Sequence, residues 1–191
     1  MKDELQQFAF KGLLARHAVA DLQTEGLLHK PSTNSAERDD LDLFAPVQQS
    51  IRNASIQMQR AYRILYVLEN MVRDLIVSRF LEADGPTWFE TKASTPMKTK
   101  VTQRREQEAK NQWHSGRNKD EIFYLDFGDL AKLIAAHWSL FQDLLPSQVW
   151  VQARLDEAER SRNVIAHTNL LAAEEVARLE LYLRDWMRQI G

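Results

Sequence analysis

The stretch "AYRILYVLENMVRDLIVSRF", residues 61–80, repeats apolar side chains at intervals of three and four, with charged residues between them. At 3.6 residues per turn, such intervals fall on one face of a helix. The spacing predicts one long helix from near Pro46 to about Leu81. Its apolar stripe is expected to comprise Met58, Tyr62, Leu65, Leu68, Val72, Leu75, Ile76 and Phe80. The segment "ADGPTW" closes it, because Gly85 and Pro86 cannot continue a regular helix cheaply.

The same period extends along most of the chain, and with only five prolines and six glycines the expected fold class is all-α. A basic helix is predicted over 97–113, broken by "HSGRNKDE". In "DFGDLAKLIAAHWSLF", Asp126 or Asp129 can cap the next helix. Pro146 suits the first turn of a helix over 146–167. A last helix covers 172–190, with Val176, Leu179, Leu183 and Trp186 on one side. Ahead of all these, residues 2–27 read as a helix and "HKPSTNSAERDD", 29–40, as a polar loop. The expected organisation is an N-terminal helix and linker over 1–45 and a helical bundle over 46–191.

A chain of 191 residues is large enough to bury one continuous core. The absence of cysteine excludes disulfides, thiolate metal sites and cysteine nucleophiles. There is no signal-like N-terminus and no 18-residue apolar run, so a cytoplasmic protein with no membrane partner is expected. Glycine-rich phosphate loops are missing, and no compact cluster of histidines and carboxylates suggests a metal site. No metal and no other cofactor is expected.

The formal net charge of -2 conceals an uneven distribution. Residues 92–119 hold eight bases against two acids, Glu106 and Glu108, a local +6 that leaves -8 for the remainder. Lys98, Lys100, Arg104, Arg105 and Lys110 are therefore candidate contacts for a polyanion backbone, with a solvated helix as the alternative. Trp113 or His114 can stack on a base if exposed, although Trp113 also reads as a core residue. Tyr62 and Tyr66 read as packing residues, and His137 as a residue at the border of the core.

A polar cluster interrupts the pattern at "ERSRNVIAHTN", 159–169. Asn163 and His167 are four apart and share a helix face, whereas Arg162 and His167 are five apart and diverge by roughly 140°. They can meet at one anion only if the helix ends near His167, or if two copies join. Thr168 and Asn169, both weak helix formers, make an ending there reasonable. An imidazole, with an unperturbed pKa of about 6.5, can exchange a proton with a phosphodiester's attacking or leaving oxygen, and a guanidinium can hold its charge. With RNA, the neighbouring 2'-hydroxyl can serve as the nucleophile.

"RNVIAH", Arg162 to His167, resembles the R-x(4-6)-H signature of the HEPN superfamily, including a polar residue directly after the arginine. The 61–80 stretch resembles that superfamily's long early helix. "PTWFE" and "DFGDLAKLIAAHWSLF" resemble its intervening segments, particularly in the branch also attached to PIN nucleases in eukaryotic transcript surveillance. The resemblance spans about 55–188 and leaves 1–45 outside. It implies a HEPN-like helical bundle, commonly dimeric, in which two motifs face each other across a cleft. It also implies a metal-independent endoribonuclease in a bacterial defence or toxin–antitoxin setting, with RNA, a second copy and an antitoxin or other regulatory protein as partners. Carried over by position, Arg162 and His167 take the catalytic roles and Asn163 assists them. Glu69 matches an acid that can pair with the motif arginine, although a simple Glu69–Arg73 ion pair fits the same spacing. A non-catalytic HEPN module binding RNA, nucleotide or a protein is the alternative.

Overall fold

The 61–80 stretch lies within one unbroken helix, α1 (Gln49–Asp84), which is about 54 Å long at 1.5 Å per residue. The computed structural model describes residues 43–111 and 113–190. The expected N-terminal helix over 2–27 and the loop over 29–40 lie outside the described residues. Helix α1 buries Ala61, Ile64, Leu65, Leu68, Val72, Ile76 and Phe80. Tyr62 is a correction to the expected stripe. It stands 60% exposed, and Ala61 and Ile64 take the core-facing positions instead. Five of the eight expected residues, Leu65, Leu68, Val72, Ile76 and Phe80, are buried, while Tyr62 lies beside a cleft described below.

After α1 come a short α2 (Trp88–Lys92), the basic α3 (Thr95–Ala109), α4 (Phe127–Ala136), α5 (Gln148–Ala166) and α6 (Ala173–Ile190). Two 3-10 turns, Glu121–Tyr124 and Trp138–Leu140, flank α4. No strand occurs among the described residues. The fold is thus all-helical, as the periodicity predicts. Helix α1 packs against α4, α5 and α6, while α4 lies along α5. None of these helices is long and apolar enough to cross a membrane.

Each end has a local cause. Gly85 adopts φ +74°, and its N–H bonds the Leu81 carbonyl at 3.1 Å, closing α1 in the left-handed conformation that glycine tolerates. Helix α3 ends at Ala109, earlier than the expected 113, and leaves Trp113 in the following loop, 84% exposed. The core reading of Trp113 is therefore overturned. Asp126 is the N-cap of α4, and the Asp129 carboxylate reaches back to accept from the Asp126 N–H at 3.3 Å. Pro146 falls just ahead of α5 rather than inside it. Ser147 is the N-cap, its Oγ accepting from the Trp150 N–H at 3.1 Å.

Two groups of stacked aromatic rings pack in the core. Phe80, fully buried, stacks on Trp88 at 4.6 Å and meets Phe141 edge-on at 6.0 Å. His137 lies at the border, its ring edge-on to Phe80 at 5.1 Å. Trp150 stacks on the fully buried Trp186 at 5.7 Å, joining α5 to α6. Removing the ring at Phe80 leaves a cavity among aromatic neighbours. Phe80→Ala is expected to lower unfolding stability by about 3–5 kcal/mol in urea titrations, against less than about 0.5 kcal/mol for Tyr62→Ala.

Candidate functional site

Helix α5 brings Arg162 to the site by continuing a core-facing row. Val151, Leu155 and Ala158 are buried at spacings of four and three, and Arg162 follows one turn later. The row leaves the core there. Arg162 consequently lines a cleft of about 640 Å³ with Ile165 from the same row, instead of standing on the outer face of the helix. Its Nη1 donates to Asn163 Oδ1 at 3.3 Å. Asn163 and His167 occupy the adjacent, exposed row.

The helix ends at His167, its C-cap residue. The Thr168 N–H bonds the Ile165 carbonyl at 2.9 Å, and the Asn169 N–H reaches the Val164 carbonyl at 3.1 Å. This paired pattern places Thr168 in the left-handed region, with φ +60°. A β-branched residue is costly there, by roughly 1–2 kcal/mol. What the reversal permits is visible three residues on. Leu171 is fully buried, its N–H lies 3.4 Å from Met58 Sδ, and its carbonyl accepts from Gln57 Nε2 at 2.8 Å, both on α1. The ending that the sequence suggested near Thr168 is therefore present. Within one chain, His167 is not among the residues lining the cleft beside Arg162.

The cleft's opposite wall comes from α1. Glu69 and Arg73, four apart, form an ion pair at 2.5 Å, with side chains 17% and 11% exposed. Arg73 Nη2 also approaches the Leu125 carbonyl at 3.4 Å, and its guanidinium lies over the Phe123 ring at 5.1 Å. Burial raises the Glu69 carboxyl above its ordinary value, opposed by the charges of Arg73 and then Arg162. Glu69 thus bonds Arg73 directly and feels Arg162 through space.

Asp126 connects this wall to the basic helix. Arg104 donates to both its carboxylate oxygens, at 3.0 and 2.9 Å, and to the Tyr124 carbonyl at 2.5 Å. Lys100 reaches Asp126 at 3.3 Å and also pairs with Asp129. Arg105 bonds Glu121 at 2.8 Å and the Lys119 carbonyl at 2.5 Å, and Lys98 bonds the Glu90 carbonyl at 2.5 Å. Lys110 is exposed at the end of α3. Four of the five candidate polyanion contacts, Lys98, Lys100, Arg104 and Arg105, therefore already hold partners within the chain. The acids that meet them, Asp126, Asp129 and Glu121, lie outside the 92–119 segment whose charge was counted.

Among the charged cleft residues, the sequence did not single out Arg73, Asp126 or Arg117 as functional candidates. Arg73 read as half of a helix ion pair and Asp126 as a cap. Both readings are true, yet neither indicates that the two groups share a wall. Tyr62 and Tyr66 also line this cleft, 60% and 58% exposed, with ring centroids 6.2 Å apart. Among the described residues, no three histidine or acidic side chains are grouped so as to hold a metal ion.

Burial alone would raise the Asp126 carboxyl, but hydrogen bonds and charge from Arg104 and Lys100 outweigh it and hold it below the usual range. A depressed carboxyl contributes stability above its unfolded pKa, and that contribution is lost as pH falls through the lower, folded value. Below about pH 4, the melting temperature of Asp126→Asn is expected to fall less steeply than that of the wild type in acid thermal melts. The two left-handed helix ends make an opposed pair. Thr168→Gly should gain roughly 0.5–1 kcal/mol and Gly85→Ala should lose about 1 kcal/mol in chemical denaturation, because the space around Gly85 is open and only its backbone objects.

These features coincide with a known family. A family model described as Swt1-like HEPN matches residues 63–191. No curated protein and no solved structure matches the chain significantly. The matched span runs from the long helix through the Arg162–His167 motif to the end of α6, and the chain belongs to the Swt1-like HEPN family.

Proposed function

We propose that this HEPN chain is a metal-independent endoribonuclease whose active site is composite, assembled where two copies meet. The observation that carries this reading is the position of the R-x4-H motif: Arg162 lines a polar cleft while His167 stands at the end of the same helix, outside that cleft. A second copy facing the first supplies the imidazole that one chain lacks beside its own arginine. His167 then acts as general acid or base, Arg162 binds the phosphate and its developing charge, and Asn163, hydrogen-bonded to Arg162, orients it. Glu69 acts more remotely, through the charge field it shares with Arg73 and Arg162. Among the described residues, Lys110 is the candidate backbone contact least engaged, with Lys98, Lys100, Arg104 and Arg105 contributing positive potential behind their internal partners. The setting in bacterial defence or beside an antitoxin rests on the superfamily resemblance alone.

The second reading, a non-catalytic module binding RNA, nucleotide or a protein, draws on the same separation of Arg162 from His167 within one chain. Cleavage of a mixed RNA pool in EDTA decides between them, using the wild type, His167→Ala and Arg162→Ala with the solution mass of each determined. The nuclease reading expects a wild-type dimer that cuts, a loss of about 10²–10⁴-fold in a folded, dimeric His167→Ala, and products with 2',3'-cyclic phosphate ends. Equal inactivity of all three proteins on that pool overturns it.

A further inference from the structure

Two cavities on this face share a wall. The cleft beside Arg162 is bounded by Arg104 and Arg117, and both residues also line a more open cavity of about 680 Å³ that contains Trp113 and His114. Trp113, at 84%, is the most exposed large apolar side chain among the described residues. At the far end of the paired cavities stand Tyr62 and Tyr66, also more than half exposed. Each of the three is more than half exposed, so the folded chain gains little from having rings at these positions.

The cations between them are unequally committed. Arg104 is held on two sides by Asp126 and the Tyr124 carbonyl. Arg117 pairs with Glu108 but remains 46% exposed, and among the described residues Arg162 holds only the Asn163 amide oxygen. Both can turn a donor toward a phosphate without leaving a buried acid unpaired. Flat apolar rings alternating with available guanidinium groups match a nucleic acid whose bases are free to stack. A duplex does not fit this pattern, because its bases already stack on one another and present only edges and backbone.

We infer that the two cavities form one track for an unpaired segment of RNA. Bases stack on Tyr62 and Tyr66 beside Arg162 and on Trp113 at the other end, and Arg117 meets the backbone between them. This inference rests on the RNA reading above and specifies its substrate as single strands and loops. The aromatic residues act as binding groups that select unpaired bases; they take no part in bond cleavage.

The test is direct binding of a short labelled oligouridine and a labelled hairpin duplex to the full chain, in a His167→Ala background so that neither probe is cut. The track predicts tighter binding of oligouridine than of the duplex. Trp113→Ala, and separately the pair Tyr62→Ala with Tyr66→Ala, should each weaken oligouridine binding by about fivefold or more while leaving the salt dependence unchanged, since no phosphate contact is lost. Replacing both tyrosines with phenylalanine should restore affinity. If these variants bind oligouridine as the parent does, or the duplex is preferred, the track is wrong and the RNA reading survives. A fall in dimer mass in the tyrosine variants with unchanged RNA affinity also overturns it, making that edge a protein interface. If the parent binds neither probe at low salt, the RNA reading itself fails, and the track with it.

Discussion

Burial of one face of α1 is the constraint on which the remainder of the structure depends. Helices α4, α5 and α6 all pack against it, so their positions are set by the row from Ala61 to Phe80. Each large apolar side chain buried there contributes about 1.5–3 kcal/mol relative to exposure, more than any single polar contact nearby. The same geometry decides where the polar cleft can be. Glu69 and Arg73 sit on the flank of the buried row, close enough to lose most of their water and far enough to remain beside a cavity.

Charge on this face is organised by acids whose sequence positions are remote from the basic helix. Asp126 caps α4 and holds Arg104 and Lys100, so one carboxylate both starts a helix and anchors α3 to the bundle. Much of the positive charge in residues 92–119 is thereby spent inside the chain. Among the described residues lining the cleft, the guanidinium groups least committed to buried partners are those of Arg162 and of the half-exposed Arg117, which pairs with Glu108. This arrangement concentrates the face's usable positive charge near the motif helix rather than spreading it along α3.

The turn at Thr168 shows a local cost accepted for a global contact. Its left-handed backbone reverses the chain abruptly enough for Leu171 to enter the core against α1. The reversal also leaves His167 at the helix terminus, as the last residue of the exposed row that carries Asn163. Strain, core packing and the placement of the motif histidine are therefore consequences of one connection.

By itself, the sequence determined the helical class, the approximate span of the long helices, the stop at Gly85 and Pro86, a cap at Asp126 or Asp129 and the motif that belongs to the HEPN family. These are properties of short range: periodicity, caps and spacing act within a few residues and can be read there. Glu69–Arg73 was legible as a pair for the same reason. Only the tertiary structure decided that Tyr62 lies outside the core, that Trp113 is exposed, that Lys100 and Arg104 are occupied by Asp126, and that Arg162 enters a cleft which His167 does not. Each of those outcomes depends on which elements pack together and how far a helix runs before another surface meets it, and a one-dimensional period carries no information about the neighbour that covers a given face.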